Sequence, residues 1–374
     1  MDLRGKKIEE GYFNLVTVEG DANATSGKLQ DGQGSDLGNV SVGGLSFNNT
    51  DSELKLPTGT TGERPATPQA GYVRWNTTEG RLEVYDGSFW GYPSLTLDYG
   101  FGTAWATTTS LNNSIYVHSS AGDASSALSF GGYTGADTNA TEKWNGNSWA
   151  TTSALNTVRQ APASLGTSNN ALAVGGFSVS VNLNSVEIWS TSSWATTTVY
   201  SEANVGAKGV GSTSNGLVFG GLTGASTYRA TSYTWNGSTW ASTSSLNTAR
   251  YASGAFGDTS SAITAEGETT GSIISSTEKW NGSTWATTSA STTASYTHGS
   301  SSNSQYGLFF GGTNSGGRFN VSRIWNGSVW ATTSNYGISG NWVSGVGDTE
   351  TALGFGGITG SNVTDRITNT YLWS

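Results

Sequence analysis

A six-residue segment with a tryptophan at each end recurs along this chain at a nearly constant interval. Complete copies occupy 144–149, 189–194, 235–240, 280–285 and 325–330, and four of the five begin Trp-Asn-Gly. With a partial copy at Trp105, the second tryptophan falls at positions 105, 149, 194, 240, 285 and 330, in steps of 44, 45, 46, 45 and 45 residues. A repeat of this length is typical of β-propellers and solenoids.

Each copy predicts a tight β-hairpin with one tryptophan on each arm. Asn-Gly between two β-compatible runs favours a type I′ turn, in which both central residues have positive φ. Asn236, Asn281 and Asn326 also fit the N-glycosylation pattern. Because the turn already explains the Asn-Gly pair, we interpret these asparagines as turn residues.

The two ends of the repeat region predict a closed ring. The copy at Trp105 lacks its first arm, and the chain ends on Tyr371-Leu372-Trp373-Ser374, which is a first arm without a second. Six units of 45 residues fill the 270 residues from Trp105 to Ser374. We therefore predict that the strands at Trp105 and Trp373 pair, because such closure removes exposed sheet edges.

Within each unit, short apolar runs, Gly-Gly pairs and the tryptophan hairpin predict four strands. The predicted fold class is all-β, with a six-bladed propeller of four-stranded blades over residues 99–374. Large aromatic side chains at equivalent positions are expected to form the core between blades, each burying ~150–250 Å². These structural tryptophans are Trp105, Trp144, Trp149, Trp189, Trp194, Trp235, Trp240, Trp280, Trp285, Trp325, Trp330 and Trp373.

Composition narrows the function classes. Only 11% of residues are charged and 53 are glycine, but 15 tryptophans and 15 tyrosines favour an ordered chain over a disordered one. The absence of cysteine excludes disulfides and thiolate chemistry, and we predict no metal and no cofactor. The net charge of −9 disfavours nucleic-acid binding. No apolar run reaches the ~20 residues of a membrane span, so no membrane insertion is expected. The first ten residues do not resemble a secretory signal, which predicts synthesis in a host cytoplasm.

The N-terminal quarter divides into two predicted parts. Residues 1–57 contain short β-like runs at 12–18 and 39–42 but too little apolar material for a robust core. We expect this part to be a segment for attachment or oligomerisation, completed by a partner. Residues 58–98 hold three of the five prolines and then alternate with period two. They predict a proline-containing connector followed by a β-hairpin module.

Residues 59–90 resemble a motif of tail-fibre and other appendage proteins of tailed bacteriophages. In that motif Gly-Thr-Thr-x-x-Arg-Pro leads into an Arg-aromatic-Asn-Thr hairpin and ends in Tyr-Asp-Gly-x-x-Trp, as this chain does at Tyr85 to Trp90. The resemblance implies a virion protein, attached to other virion proteins through residues 1–57 and forming a homotrimer.

The repeats themselves resemble kelch and galactose-oxidase-type propellers, whose blades carry Gly-Gly after the second strand. The chain departs from kelch in the spacing of its aromatic pair. It also places Glu266 where the first glycine is expected, in Ala265-Glu266-Gly267. A kelch-family function therefore does not carry over.

The most variable loops predict where a ligand binds. In a four-stranded blade, the loops between blades and the loops joining the second strand to the third emerge on one face. Aromatic and arginine side chains in such loops suit recognition of a glycan or a protein, while the alternative is that they only plug the channel. The candidate ligand-binding residues are Tyr116, Arg159, Tyr200, Arg250, Tyr251, Tyr296, Tyr336, Trp342, Tyr228, Arg229, Arg318 and Phe319.

No catalytic residue is assigned. Glu266 and Glu268 are a close carboxylate pair, and a hydrolase needs two carboxylates ~5–9.5 Å apart beside a cleft. Plain solvent-exposed carboxylates are the favoured interpretation, and His118 and His298 are interpreted as isolated histidines.

The predicted function is that of a bacteriophage structural protein, located in the virion, that is not an enzyme. Anchored by its N-terminus, it would display the propeller to a glycan or protein of the host surface. Two alternatives remain: a head or neck decoration or collar fibre with a bracing role, and an appendage enzyme that degrades polysaccharide.

Overall fold

The computed structural model of this chain describes residues 26–30, 36–41, 44–47, 57–69, 72–78, 81–85, 90–91 and 103–374 without 225, 303–305 and 361. The chain divides into two compact units, residues 1–98 and 99–374. The described residues form strands and two short 3-10 turns, Thr61–Glu63 and Val363–Asp365. Among them no helix is long and apolar enough to cross a membrane. The strand predicted at 12–18 lies outside the described residues.

The larger unit is built from six four-stranded antiparallel sheets, numbered here as blades 1 to 6. The first strands are Ser119–Gly122, Ala163–Gly166, Lys208–Gly211, Gly254–Gly257, Gly299–Ser302 and Ser344–Gly347. The second strands are Ala127–Phe130, Asn170–Val174, Gly216–Phe219, Ala262–Ala265, Gly307–Phe310 and Ala352–Phe355. The third strands are Thr141–Trp144, Val186–Ser190, Ser232–Trp235, Thr277–Trp280, Ser322–Trp325 and Thr370–Trp373. The fourth strands are Trp149–Thr152, Ser193–Thr197, Trp240–Thr243, Trp285–Thr288, Trp330–Thr333 and Trp105–Thr108.

The ring closes as predicted. In blade 6 the last strand of the chain pairs with Trp105–Thr108, with Trp373 opposite Trp105 and their rings 5.4 Å apart. Each first strand contacts the first strands of the two neighbouring blades, so the six surround a central channel. The predictions of an all-β chain and of six four-stranded blades are confirmed.

The tryptophan hairpins exist, but the predicted turn type is wrong. In the copy at 235–240 only Gly237 has positive φ, at 92°, while Asn236 lies outside the turn centre. The Asn236 Oδ1 atom accepts hydrogen bonds from the backbone N–H of Ser238 at 3.0 Å and of Thr239 at 2.9 Å. This turn therefore has a single residue with positive φ, whereas a type I′ turn needs two.

The paired tryptophans lie in the core between blades, as predicted. Trp189 and Trp194 of blade 2, for example, pack against Leu128 and Phe130 of blade 1. The Trp194 indole N–H also donates a hydrogen bond to Thr141 Oγ1 at 3.1 Å. The repeated aromatic pair therefore joins neighbouring blades by both packing and a hydrogen bond.

Both variable loop sets lie on one face of the ring, which is called the loop face below. Residues that follow the Gly-Gly pair form β-bridges with residues that precede the first strand, as Phe177 does with Gln160. Four of these loops contain a small hairpin that the sequence did not predict. The hairpins are Phe177–Ser178 with Val181–Asn182, Leu222–Thr223 with Thr227–Tyr228, Glu268–Thr269 with Ser272–Ile273, and Thr313–Asn314 with Gly317–Arg318.

The smaller unit contains two sheets. One consists of Ser26–Gln30, Asp36–Ser41 and Gly44–Phe47, and the other of Thr58–Gly59, Val73–Asn76, Arg81–Tyr85 and Trp90–Gly91.

In the second of these sheets the motif residues converge on Glu83, which is fully buried. Arg64 and Arg74 lie 2.6 and 3.2 Å from its carboxylate, and Asn76 Nδ2 donates to it at 2.9 Å. The hydrogen bond from Arg64 holds the pKa of Glu83 below its ordinary value although burial opposes this. The spacing of the motif thus serves to neutralise one buried carboxylate.

Candidate functional site

A ring of backbone hydrogen bonds surrounds the channel where it opens on the loop face. Five N–H groups in this ring donate to the carbonyl of the equivalent residue in the preceding blade, at distances from 2.6 to 3.3 Å. All six residues have φ between 42° and 65°, a conformation that non-glycine residues adopt only when their surroundings hold them in it. The mouth ring consists of Val117, Ala161, Gly206, Ala252, Thr297 and Trp342.

Two aromatic side chains lie at this mouth. Trp342 lines the channel and packs against Val117 and Ala161 from the other blades. The Tyr251 ring lies 6.1 Å from that of Trp342 and covers Gly206, where a Cβ atom would overlap it. Tyr251 and Trp342 therefore border the mouth of the channel.

Further tyrosines gather beside the mouth around one carboxylate, that of Glu268. Glu268 pairs through its backbone with Tyr251, at 2.9 Å in both directions. Tyr228 and Tyr296 lie near enough for the Glu268 charge to act on their hydroxyls, and Arg318 acts on Tyr296. We call Tyr228, Tyr251, Glu268, Tyr296, Arg318 and Trp342 the Glu268 cluster. All six are half-buried.

The electrostatics of the Glu268 cluster keep its tyrosines protonated. Burial raises the pKa of Tyr228, Tyr251 and Tyr296, and the neighbouring Glu268 carboxylate raises each further. Arg318 is held in place by donating from Nε to Asn341 Oδ1 at 2.7 Å. The cluster thus presents hydroxyl and guanidinium donors, one carboxylate acceptor and aromatic faces close together beside the mouth. Such a combination suits a ligand with both hydroxyl groups and apolar faces.

Two of the predicted binding arginines are structural. Arg159 and Arg250 are 0% and 1% exposed, and each lies in a buried ion pair, 2.6 Å from Glu187 and 2.7 Å from Glu278. Their assignment to a ligand-binding face is wrong, because each guanidinium balances a glutamate of the third strand in its own blade.

Two of the predicted tyrosines are also core residues. Tyr200 is 1% exposed and packs edge-on against Trp240 at 5.0 Å, while Tyr336, also 1% exposed, packs against Trp105 at 4.8 Å. Neither reaches the loop face, and their assignment is corrected accordingly.

The remaining three predicted residues contact side chains outside the Glu268 cluster. Arg229 forms an ion pair with Glu202 at 2.6 Å. Tyr116 packs against Tyr133 at 5.5 Å, and the Phe319 ring lies under the Arg323 guanidinium at 5.3 Å. The structure thus brings together five of the twelve candidates: Tyr228, Tyr251, Tyr296, Arg318 and Trp342.

The interpretation of Glu266 as a solvent-exposed carboxylate is wrong. Glu266 is fully buried with φ of 64°. Arg323 Nη2 donates to it at 3.1 Å, Ser291 Oγ donates at 2.6 Å, and His298 Nε2 lies 3.1 Å away. Burial alone would raise the pKa of Glu266, but the charge of Arg323 and the contact with His298 lower it to about 2. Glu266 and Glu268 therefore do not form a pair beside one cleft.

Both histidines lie at equivalent places, directly after the mouth ring, and are buried. Burial lowers the pKa of His118 to about 3, so this ring is neutral, and it packs against Phe355 at 5.7 Å. Within the described part of the chain, no group of three metal-binding side chains comes together.

Sequence reasoning missed one channel residue, Lys208. It lies on the first strand of blade 3, where the other blades carry serine, alanine or glycine at the equivalent position. That lone departure in the repeat was the signal that could have identified it.

The fold and its site geometry make this chain a six-bladed β-propeller protein. It is similar in fold to the solved structure of YjhT, with a TM-score of 0.60 and 12% sequence identity over 70% of this chain and 95% of that one. At this identity the likeness shows the fold alone. No family model matches the sequence, and no curated protein is similar to it in sequence.

Proposed function

We propose that this chain is a component of a bacteriophage virion appendage whose propeller binds a glycan of the host surface through the Glu268 cluster. The observation that carries the proposal is the convergence of three tyrosines, a tryptophan, an arginine and a carboxylate at the channel mouth. Aromatic faces stack on sugar rings, while paired donors and acceptors select their hydroxyl groups.

The virion assignment is supported by the resemblance over residues 59–90, whose Arg64, Arg74 and Asn76 share one structural task at Glu83. In this proposal residues 1–57 attach to other virion proteins and the chain forms a homotrimer. On the same sheet Val73 and Trp75 are 37% and 42% exposed, which offers apolar surface for contacts between copies.

Binding without catalysis is proposed because the cluster has a single available carboxylate. Two-carboxylate hydrolysis needs a second carboxylate beside the same cleft, and Glu266 is held by Arg323. Release of reducing sugar from host polysaccharide would instead support the enzyme alternative. Immunogold labelling of particles separates a tail appendage from a head or neck decoration.

The test compares the full-length chain with Glu268→Gln and with Glu350→Gln in binding to purified host surface polysaccharide. Glu350 is a matched control because it is exposed in a turn between first and second strands, away from the loop face. Loss of a charged hydrogen-bond acceptor is expected to weaken binding about tenfold or more for Glu268→Gln. Equal binding by the two variants, or no binding by the unmodified chain, would refute the proposal.

A further inference from the structure

The central channel contains a lysine side chain, that of Lys208. Lys208 lines the channel, where the equivalent residues of the other blades are Ser119, Ala163, Gly254, Gly299 and Ser344. Among the described residues none makes a hydrogen bond or an ion pair with its ammonium group. Burial lowers the pKa of Lys208 to about 8, which leaves the group charged at neutral pH.

The buried Glu266 carboxylate does not neutralise Lys208, because it is already paired. Glu266 is balanced by Arg323, whose Nη2 lies 3.1 Å from the carboxylate. His298 is predominantly neutral at pH 7, because burial lowers its pKa although the Glu266 carboxylate opposes this. The positive charges of Arg323 and Lys208 lower the pKa of His298 further. Among the described residues that line the channel, Lys208 is therefore the only side chain charged at neutral pH, in a chain whose net charge is −9.

Unpaired polar atoms lie in the same channel wall. Thr297 and His298 are each 3% exposed and both line the channel. In the described part of the chain the Thr297 Oγ1 atom and the His298 Nδ1 atom have no hydrogen-bond partner. Buried polar groups without partners are costly unless a water or a ligand satisfies them.

We propose that the channel is a binding site for a small carboxylate anion, which pairs with the Lys208 ammonium and accepts a hydrogen bond from the Thr297 hydroxyl. The space within the channel, ≈ 170 Å³, accommodates an anion of a few heavy atoms together with water. A narrow channel of low dielectric strengthens the attraction between the ammonium and the anion. The carboxylate is either a free metabolite or a group borne on a sugar, and this site does not rest on the proposed function of the Glu268 cluster.

The test uses the full-length chain, with acetate as the probe, in isothermal titration and in thermal unfolding. Lys208→Met is compared with Lys143→Met, a matched control whose ammonium is exposed and bonded to Asn169. Acetate is expected to bind the unmodified chain and Lys143→Met and to raise their melting temperature. Lys208→Met is expected to lose this response while melting, without acetate, at the same or a higher temperature, because a desolvated cation has been removed.

Thr297→Val provides an independent variant of nearly equal volume and is expected to bind acetate about fivefold more weakly or worse. Two further titrations separate the sources of the carboxylate. Glucuronate binding tighter than acetate indicates a sugar-borne group, and equal binding indicates a free anion.

Three results would overturn the proposal. The first is an acetate response by Lys208→Met equal to that of the unmodified chain. The second is an affinity of the unmodified chain weaker than ~10 mM. The third is that uncharged glucose displaces bound acetate as effectively as glucuronate does.

Discussion

The third strands of blades 2, 4 and 5 carry a buried charged residue at the same position, but its sign differs. The residue is glutamate in blades 2 and 4 and arginine in blade 5. In blades 2 and 4 an arginine before the first strand pairs with a glutamate of the third strand, as Arg250 does with Glu278. In blade 5 the third-strand residue is Arg323, and its carboxylate comes from Glu266 of the preceding blade. Glu266 takes the place of a glycine and keeps its positive φ. The cost of the left-handed backbone conformation of Glu266 is offset because its carboxylate neutralises the buried Arg323 guanidinium, which would otherwise be unpaired.

This arrangement predicts that Glu266→Gly lowers stability although it relieves backbone strain. An unpaired buried arginine costs about 3–5 kcal/mol, against roughly 1 kcal/mol for a left-handed non-glycine residue. The measurement is the free energy of unfolding in denaturant.

The control restores the arrangement of blades 2 and 4 in blade 5. The triple variant Glu266→Gly, Ser295→Arg, Arg323→Glu places an arginine at the position of Arg250 and a glutamate at that of Glu278. It is expected to recover most of the stability that Glu266→Gly loses. A triple variant no more stable than the single one would contradict the interpretation.

At the residue scale, the spacing of charged residues within the repeat indicated structural roles that the predicted ligand-binding face did not take into account. The sequence predicts that Arg159 and Arg250 face a ligand because they lie in the variable loops between blades. Each nevertheless lies 28 residues before its glutamate, and that common offset within the repeat indicated a structural pair. Lys208 and Glu266 were recognisable in a similar way, since each is a large charged residue at a repeat position where the other blades have a small one.

At the scale of the blade, a repeated hydrogen bond joins each sheet to the preceding one. The second tryptophan donates from its indole N–H to a hydroxyl at the start of the preceding third strand, as Trp285 does to Ser232 and Trp330 to Thr277. Blade 3 is the exception. The equivalent residue in blade 2 is Val186, and the buried Trp240 Nε1 atom has no hydrogen-bond partner among the described residues.

The exception predicts that Val186→Thr stabilises the protein. The new hydroxyl can accept the Trp240 N–H, and a hydrogen bond of this kind contributes about 0.5–1.5 kcal/mol. Thermal and denaturant unfolding measure the gain.

The reverse substitution provides the matched control. Thr141→Val removes the acceptor of Trp194 and is expected to cost about 1–3 kcal/mol, because it leaves a buried donor unpaired. A loss of stability in Val186→Thr as large as that in Thr141→Val would contradict this prediction. It would show that a hydroxyl at position 186 does not provide the acceptor that the Trp240 Nε1 atom lacks.

Strand existence and order were predictable at this scale, whereas turn geometry was not. The Asn-Gly pair indicated a turn correctly, but the asparagine side chain accepts hydrogen bonds from two backbone N–H groups and moves the turn centre one residue onward. In blade 2, Thr191 adopts φ of 63° at the glycine position. That conformation depends on the pairing around it and could not be read from a threonine in sequence.

For the whole molecule, stability depends on joining the two ends of the propeller. Trp373 lies on the strand that pairs with Trp105–Thr108, whereas Trp325, equally buried, lies within an internal blade. Trp373→Ala and Trp325→Ala are each expected to cost about 3–5 kcal/mol.

Only Trp373→Ala is also expected to associate as its concentration rises, because loosening the last strand exposes the edge of the Trp105 strand. Size-exclusion chromatography over a range of concentrations measures this difference. Equal association by Trp325→Ala would show that closure is not the vulnerable step.

The ring itself was predictable because its period, its strand count and its two half-hairpins agreed. The candidate site was only partly predictable. Repeat positions indicate which face carries variable loops, but not that the Glu268 cluster draws on residues from four blades or that Tyr200 turns inward. Those facts depend on how neighbouring blades meet.

The mouth ring has a consequence for how specificity could change during evolution. Its diameter is fixed by main-chain bonds, from Ala161 N–H to Val117 C=O at 2.7 Å through Trp342 N–H to Thr297 C=O at 2.6 Å. The width of the opening is therefore set by the backbone, and the side chains that border it determine how much of that width is blocked. Four of the five side chains are small, one is tryptophan and Gly206 has none, so single substitutions there would change the free opening without changing the sheets behind it.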